Sequence, residues 1–338
     1  MRPIKNYLIF VAALIALSSN TQAYEAKTVH EPLLNTALTI YNECFPGDTM
    51  YDIVEDAKSR VIAGNIAMDE GLKFNIFDVL SLRGEKVFSK AKRPFNWHFY
   101  NPNKEDMSRA GLVEQSHIRL WQGLKDGLKS NEKNYNKLLF IGGLIHLVED
   151  ITSPAHVVPV YHGPTVISVI GPKTLKPLVT YMQEYKDKYK HMIKDNIDYI
   201  APDTQRLLNE LQHDNLLCHE IDTNSETLEE IRFNAATKTL NLLKQEIPEC
   251  PNFTWQEFWT PPKSDEYFGK YYIKNNSPLF GQEGLMTLEN GSTCKFKEND
   301  PRYEDFVYSL HLNAVKADLK LLNWSTKNIL KRDKKSQF

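Results

Sequence analysis

Three residues within an eleven-residue run combine side chains that bind metal ions. His146 and Asp150 lie four residues apart in an apolar stretch, and in a helix this spacing places the imidazole and the carboxylate on one face. His156 follows six residues later, after a turn indicated by Ser153-Pro154. Histidine nitrogen and carboxylate oxygen are ligands that zinc takes in hydrolytic sites, where one coordination position stays open for water. The run from His146 to His156 therefore predicts the centre of a zinc site.

The helix that would carry His146 and Asp150 is predicted over residues 137–149, the most apolar helical stretch of the chain. Its composition indicates a helix buried in the core. Another helix is expected to begin at Pro32, because proline is favoured in a first turn, and to stop at Pro46-Gly47-Asp48. Apolar residues at helical spacing predict further helices, over residues 50–67, 112–128 and 303–330.

Residues 248–299 break this helical pattern. They contain Pro261-Pro262 and several glycines, and are predicted to be irregular and partly strand. The chain as a whole favours an all-α fold, a single compact multi-helix domain over residues 24–338 with long loops. Loops as long as residues 73–102 and 156–176 tend to carry function in a compact domain.

The spacing H-x3-D-x5-H, here His146, Asp150 and His156, resembles the zinc signature of the bacterial zinc-dependent phospholipases C. The single-strand-specific zinc nucleases of fungi and plants share that signature and the same helical fold. Two upstream residues match in order. His98 in WHFYNPN is similar to the zinc-binding histidine of the phospholipase HFYDPD segment, with Asn101 in place of the aspartate, and Asp69 resembles an aspartate that precedes it. Asp69 and His98 are 29 residues apart, further than the matching residues of the families, which indicates an enlarged loop between them.

The resemblance also covers the start of the mature chain and implies a three-zinc site. His30 resembles an early histidine that shares a zinc with the free amino terminus, which here would be the amine and carbonyl of Tyr24. Asp150 would bridge two ions, and Asp69 would either bind metal or act as the general base that orients water. The implied metal ligands are Tyr24, His30, Asp69, His98, His146, Asp150, His156, His191 and Asp195.

The last two of these ligands are the weakest match. The families carry a further H-x3-E/D after the third histidine, and His191 and Asp195 have that spacing but begin 35 residues after His156. His162, in the loop VYHGP, is an alternative ligand, and both His191 and Asp195 could instead lie on a solvated face among lysines. Residues further along the chain are a third source.

Residues 1–23 have the features of a secretory signal peptide: positive charge at Arg2 and Lys5, an apolar stretch, and a small-residue cleavage site ending at Ala23. The apolar run is about eleven residues long, whereas a helix that spans a bilayer needs roughly 20. We therefore expect a secreted or periplasmic protein that begins at Tyr24 and has no transmembrane segment. Four cysteines in the mature chain predict one or two disulfides in an oxidising compartment, with three pairings possible.

The resemblance implies an enzyme that hydrolyses the glycerol-side phosphodiester of glycerophospholipids such as phosphatidylcholine, giving diacylglycerol and a phosphorylated head group. Its partner would be a membrane surface. A single-strand-specific zinc nuclease is the alternative, although the formal net charge of −2 gives no general attraction for nucleic acid. The third hypothesis is a helical binding protein that has lost catalysis.

Overall fold

The computed structural model describes residues 24–46, 55–70, 98–103, 112–129, 134–160, 196–261, 269–271 and 277–330. These residues are mostly helical, with three small antiparallel sheets of two strands each, so the expectation of a helical protein is confirmed at this level. None of the helices in the described ranges is long and apolar enough to cross a membrane. The proposed signal peptide, residues 1–23, lies outside the described residues. The single domain over residues 24–338 stays a prediction.

Nine α-helices are formed by the described residues. In chain order they are α1 (Glu31–Cys44), α2 (Glu55–Glu70), α3 (Leu112–Lys129), α4 (Asn134–Asp150), α5 (Pro154–Val157), α6 (Thr204–His213), α7 (Leu217–Thr223), α8 (Leu228–Leu243) and α9 (Pro301–Ser325). A π-helical turn, Ala26–His30, leads directly into α1, and a second one, Thr326–Leu330, continues α9.

The predicted helices agree with these bounds to within a few residues. The helix predicted over residues 137–149 is α4, and the helix predicted over residues 303–330 is α9 together with the π-helical turn that follows it. α9 begins earlier than predicted because Asp300 caps it and Pro301 occupies its first turn. α6, α7 and α8 were not predicted.

Helix α4 occupies the centre of the core. Every residue from 140 to 150 is buried, and α2, α3 and α9 all pack against this helix. α9 also packs against α1 and α8. The prediction of a buried core helix is therefore confirmed, and the buried carboxylates of α4 must be satisfied from neighbouring helices rather than by solvent.

Helices α2 and α4 approach each other through glycine. A Cβ atom added at Gly142 would lie 2.0 Å from the carbonyl oxygen of Val61, and one added at Gly64 would lie 2.2 Å from that of Leu139. Real Cβ atoms cannot come so close to a backbone oxygen, so the two backbones can reach this separation only with glycine at both positions. This close packing brings the end of α2, with Asp69, towards the end of α4.

The irregular segment carries the three hairpins, apart from strand β1, which lies just before it. They pair β1 (Glu246–Ile247) with β2 (Cys250–Thr254), β3 (Trp259–Thr260) with β4 (Lys270–Tyr271), and β5 (Gly284–Thr287) with β6 (Thr293–Phe296). Aromatic rings fasten this region to the first turns of α9: the ring centroids of Trp255 and Phe306 are 4.4 Å apart, and those of Phe280 and Tyr303 are 4.7 Å apart. The prediction of an irregular, partly stranded segment is confirmed.

Two disulfides settle the pairing that the sequence left open. Cys44 at the end of α1 is bonded to Cys218 in α7, and Cys250 in β2 is bonded to Cys294 in β6. No described cysteine remains unbonded. The first bond joins segments 174 residues apart, and the second ties two of the hairpins together.

Candidate metal centre

His30, His146 and Asp150 form one buried group whose potential ligand atoms all lie within 4.8 Å of one another. Nε2 of His30 is 3.3 Å from Oδ1 of Asp150, and Nε2 of His146 is 3.2 Å from Oδ2 of the same carboxylate. The two imidazole rings are stacked, with centroids 4.1 Å apart. The predicted spacing in α4 is therefore correct: His146 and Asp150 point to one place, and His30 joins them from the π-helical turn before α1.

Asp69, His98 and His146 form a second group by the same criterion. Nε2 of His146 lies 3.5 Å from Oδ1 of Asp69 and 3.2 Å from Nδ1 of His98. Nδ1 of His98 also contacts Oδ2 of Asp150. Because His146 belongs to both groups and Asp150 contacts a member of each, the five residues form one continuous cluster.

His156 lies next to this cluster but belongs to neither group. Its Nδ1 is 3.0 Å from the carbonyl oxygen of His98, and its own carbonyl accepts a hydrogen bond from the backbone N–H of Tyr100 at 2.9 Å. Its ring packs on Phe99, with centroids 4.9 Å apart. These contacts hold the segment His98–Tyr100 against α5. With a proton on Nδ1, the imidazole has the tautomer that binds metal through Nε2.

The buried carboxylates of the cluster favour the binding of a proton or another cation beside them. Burial raises the pKa of Asp150, but the adjacent imidazoles of His146 and His98 outweigh it and hold this pKa well below the usual range. Burial lowers the pKa of His30, yet its contacts with the carboxylates of Asp150 and Glu149 raise it to about 10. Asp69, Glu149 and Asp150 are all buried, and three carboxylates beside neutral imidazoles would leave an uncompensated negative charge in the core.

The orientation of the buried polar atoms fits a metal ion. Nε2 of His30 and both oxygens of Asp150 make no well-directed hydrogen bond within the described residues, although His30 and His146 contact Asp150 at 3.2–3.3 Å and Nδ1 of His98 is nearer still. Lone pairs that converge on a common point rather than on N–H groups are expected around a cation. The cluster could therefore hold metal through nitrogen and carboxylate oxygen, the donors common to zinc and other first-row divalent metals.

Tyr24 is fully buried beside the cluster. Its ring centroid is 5.8 Å from that of His30 and 5.5 Å from that of His311, and its hydroxyl lies 3.4 Å from the hydroxyl of Thr152. The structure thus places the proposed first residue of the mature chain at the metal cluster. Ligation by its amine and carbonyl stays a prediction.

Three predicted or alternative ligands, His162, His191 and Asp195, lie outside the described residues. Asp198, just beyond them, is buried, and its Oδ1 accepts a hydrogen bond from Ser153 at 3.0 Å. Its carbonyl accepts another from the backbone N–H of Glu25 at 2.8 Å. Asp198 therefore lies near the cluster, between Glu25 and the turn that precedes His156.

Sequence reasoning missed three buried polar residues near the cluster: Asn65, Glu149 and Asp318. Glu149 could have been noticed in the sequence, because it is a second acidic residue in an apolar helix. It was not predicted because it lies about 100° from Asp150 around the helix axis, outside the i, i+4 pattern. Asn65 and Asp318 carried none, since their role depends on which helices pack against α4.

Comparisons of the chain with protein-family models, with curated proteins and with solved structures found no match.

Proposed function

We propose that this chain is a secreted zinc-dependent phosphodiesterase of the phospholipase C type, acting on glycerophospholipids at a membrane surface. The observation that supports the proposal most is the pair of buried His/Asp groups that share His146. Five residues from four separate parts of the chain converge there, and their donors suit zinc. Two disulfides are compatible with export to an oxidising compartment.

The residues of the cluster have different tasks in this proposal. His30, His98, His146 and Asp150 would hold zinc, and Asp150, which contacts histidines of both groups, would bridge two ions. A bound zinc supplies Lewis-acid chemistry: it lowers the pKa of a water molecule and neutralises phosphate charge. Asp69, whose Oδ1 lies 3.5 Å from Nε2 of His146, would either take a proton from water as general base or complete the metal shell.

The substrate class rests on the resemblance of the His98 segment to the phospholipase form and on the charge of the chain. Removal of Arg2 and Lys5 with the signal peptide would change the formal net charge from −2 to −4, which disfavours long-range attraction to nucleic acid. A single-strand-specific zinc nuclease would use the same cluster and is the second candidate. The third is a helical binding protein without catalysis.

One experiment separates the three candidates. The processed protein, beginning at Tyr24, is analysed for bound metal and then assayed on phosphatidylcholine vesicles and on single-stranded DNA. Zinc together with release of diacylglycerol and phosphocholine supports the proposal, whereas zinc with release of nucleotides supports the nuclease. A protein that holds little zinc and cleaves neither substrate would contradict both enzymatic candidates.

A further inference from the structure

Glu149 lies next to Asp150 in the last turn of α4 and is equally buried, but it contacts different groups. Its Oε2 is 2.6 Å from Nδ1 of His30 and accepts a hydrogen bond from Nδ2 of Asn65 at 2.7 Å. None of these three residues has any solvent exposure. A carboxylate in an otherwise apolar core helix is costly unless its partners compensate the charge, so these contacts account for its presence.

His30 lies between the two carboxylates of this turn. Its Nδ1 faces Glu149 at 2.6 Å and its Nε2 faces Asp150 at 3.3 Å. A proton on Nδ1 makes the shorter contact a charge-assisted hydrogen bond, and this tautomer leaves the lone pair of Nε2 directed towards Asp150 and His146. Glu149 thereby decides which nitrogen of His30 is available to a metal.

We propose that Glu149 is a positioning residue of the metal centre: it holds His30 in the tautomer and orientation that bind metal through Nε2, and Asn65 holds Glu149 in turn. This inference rests on the proposed metal-dependent function. In known metal sites a carboxylate bonded to the far nitrogen of a liganding histidine fixes the ring and makes it a stronger donor. Here the carboxylate and the amide that supports it come from different helices, α4 and α2.

Asp318 adds a third helix to this arrangement. It is fully buried in α9, and its oxygens have no hydrogen-bond partner within the described residues. Burial and the negative charge of Glu149 raise the pKa of Asp318 well above its usual range. Asn65 and Asp318 thus lie beside Glu149 on α2 and α9, and Asn65 makes the hydrogen bond that holds it.

The test compares zinc affinity in Glu149→Gln with that of the wild type, by competition with a chromophoric chelator, and records the visible absorption of the Co²⁺-substituted proteins. Glutamine keeps the size of the side chain and removes its charge. We expect zinc affinity to fall by about 10–100-fold, the usual cost of losing such a partner, with a changed Co²⁺ spectrum and unchanged zinc content at saturation. His30→Ala should instead lower the zinc content itself.

Glu283→Gln, the same change at an exposed glutamate just before β5, is the matched control. Its zinc affinity should match that of the wild type. Asn65→Leu removes one hydrogen bond from Glu149 and leaves the charge, so it should weaken zinc binding less than Glu149→Gln does. If Glu149→Gln does not fold, Asn65→Leu decides the question.

The outcomes separate this inference from the function on which it rests. A wild-type protein that binds zinc, together with a Glu149→Gln variant that has the same affinity and the same Co²⁺ spectrum, would overturn the positioning role and leave the proposed function standing. If Glu149→Gln does not fold and Asn65→Leu binds zinc with wild-type affinity, the positioning role is overturned as well. A wild-type protein that binds no zinc would overturn both.

Discussion

A metal ion at the cluster would compete with protons for the same atoms. His30 has a pKa of about 10 because it lies between two carboxylates, so in the absence of metal it carries a proton at neutral pH. A metal that binds through Nε2 must displace that proton and replaces its positive charge with a larger one. Metal binding to such a site is therefore coupled to pH, and Asp150, the carboxylate that faces Nε2, would contact the metal in place of the proton.

His146 is the residue on which both groups depend. Replacing it with alanine removes a ligand from each group, so we expect His146→Ala to lose bound zinc and to lower hydrolysis by more than about 100-fold, since changes to outer-shell partners alone cost about 10–100-fold. Metal analysis and turnover on phosphatidylcholine measure the two effects. His213→Ala, at an exposed histidine at the end of α6, is the control and should match the wild type. Near wild-type zinc and turnover in His146→Ala would refute the central assignment.

At the scale of elements, the glycine contact between α2 and α4 decides whether Asp69 reaches His146. Adjacent glycines in α4 allow a matched comparison. A Cβ at Gly142 would meet the backbone of Val61 at 2.0 Å, whereas one at Gly143 would meet the ends of two side chains, Leu124 at 2.8 Å and Met68 at 3.2 Å. Side-chain ends can rotate away, but the backbone of a packed helix cannot.

We expect Gly142→Ala to lower the free energy of unfolding by about 3 kcal/mol or more, at the upper end of overpacking effects, and to weaken zinc binding by displacing α2. Gly143→Ala should cost much less, because the side-chain ends that it meets can rotate away, and the gain of about 1 kcal/mol in helix propensity, common to both variants, then offsets the rearrangement. Urea unfolding of both variants measures the difference. Equal losses of stability would mean that the backbones can separate without cost.

The start of α9 depends on Asp300, which accepts hydrogen bonds from the backbone N–H groups of Lys297 and Arg302 and from the Arg302 guanidinium, at 2.6–3.1 Å. The Arg302 side chain outweighs burial and holds the pKa of Asp300 below its usual range. The unfolded chain therefore takes up a proton at higher pH than the folded one. The stability that the carboxylate provides is present above the unfolded pKa of about 3.9 and is lost as the pH falls below it.

Two variants separate the stability contributed by the capping hydrogen bonds of Asp300 from that contributed by its charge. Asp300→Ala should lower the free energy of unfolding at pH 7 by about 1–2 kcal/mol, because it removes the cap and the ion pair. Asp300→Asn keeps a capping oxygen and should cost less. The difference in free energy of unfolding between the wild type and Asp300→Asn should become smaller from pH 5 to pH 3, as measured by denaturant unfolding at each pH. A difference that is constant over this range would show that the charge of Asp300 contributes nothing to stability.

At the scale of the whole molecule, the His/Asp cluster joins parts of the chain that no disulfide joins. Its residues come from the segment before α1, from the end of α2, from residue 98 and from α4, so a metal bound there would stabilise the folded state as a whole. The disulfides act elsewhere, between α1 and α7 and between β2 and β6. Metal and disulfides are therefore expected to contribute separately to stability.

Removal of zinc by EDTA or phenanthroline should abolish hydrolysis and lower the melting temperature, and added zinc should restore both. At a free zinc concentration 100 times Kd the stabilisation is about 2.7 kcal/mol, which corresponds to a shift of the order of 5 °C in a protein of this size. Thermal unfolding with and without chelator measures the shift. His146→Ala should show little response to chelator. A wild-type protein that stays active and equally stable in chelator would contradict the metal-dependent mechanism.

The local pattern of residues was enough to predict most of the helices and the stranded segment of this protein. Helical periodicity located α2, α3 and α9, apolar composition located α4, and proline located α1, each to within a few residues, because these signals act locally along the chain. The helical repeat also placed His146 and Asp150 on one face of α4, and it required no knowledge of the remaining fold. Proline and glycine marked the segment that forms the hairpins, since both residues restrict backbone geometry locally.

Only the tertiary structure decided which residues meet. Asp69 and His146 are 77 positions apart in the chain, and they come together because glycines let two helix backbones touch. The partners of Glu149 come from α2, from α9 and from the turn before α1, so no spacing along the chain could reveal them. Disulfide pairing was undecided for the same reason, because it depends on Cα separations that packing creates. Contacts within one helix follow from its repeat, whereas contacts between helices follow from the volumes of the side chains that lie between them.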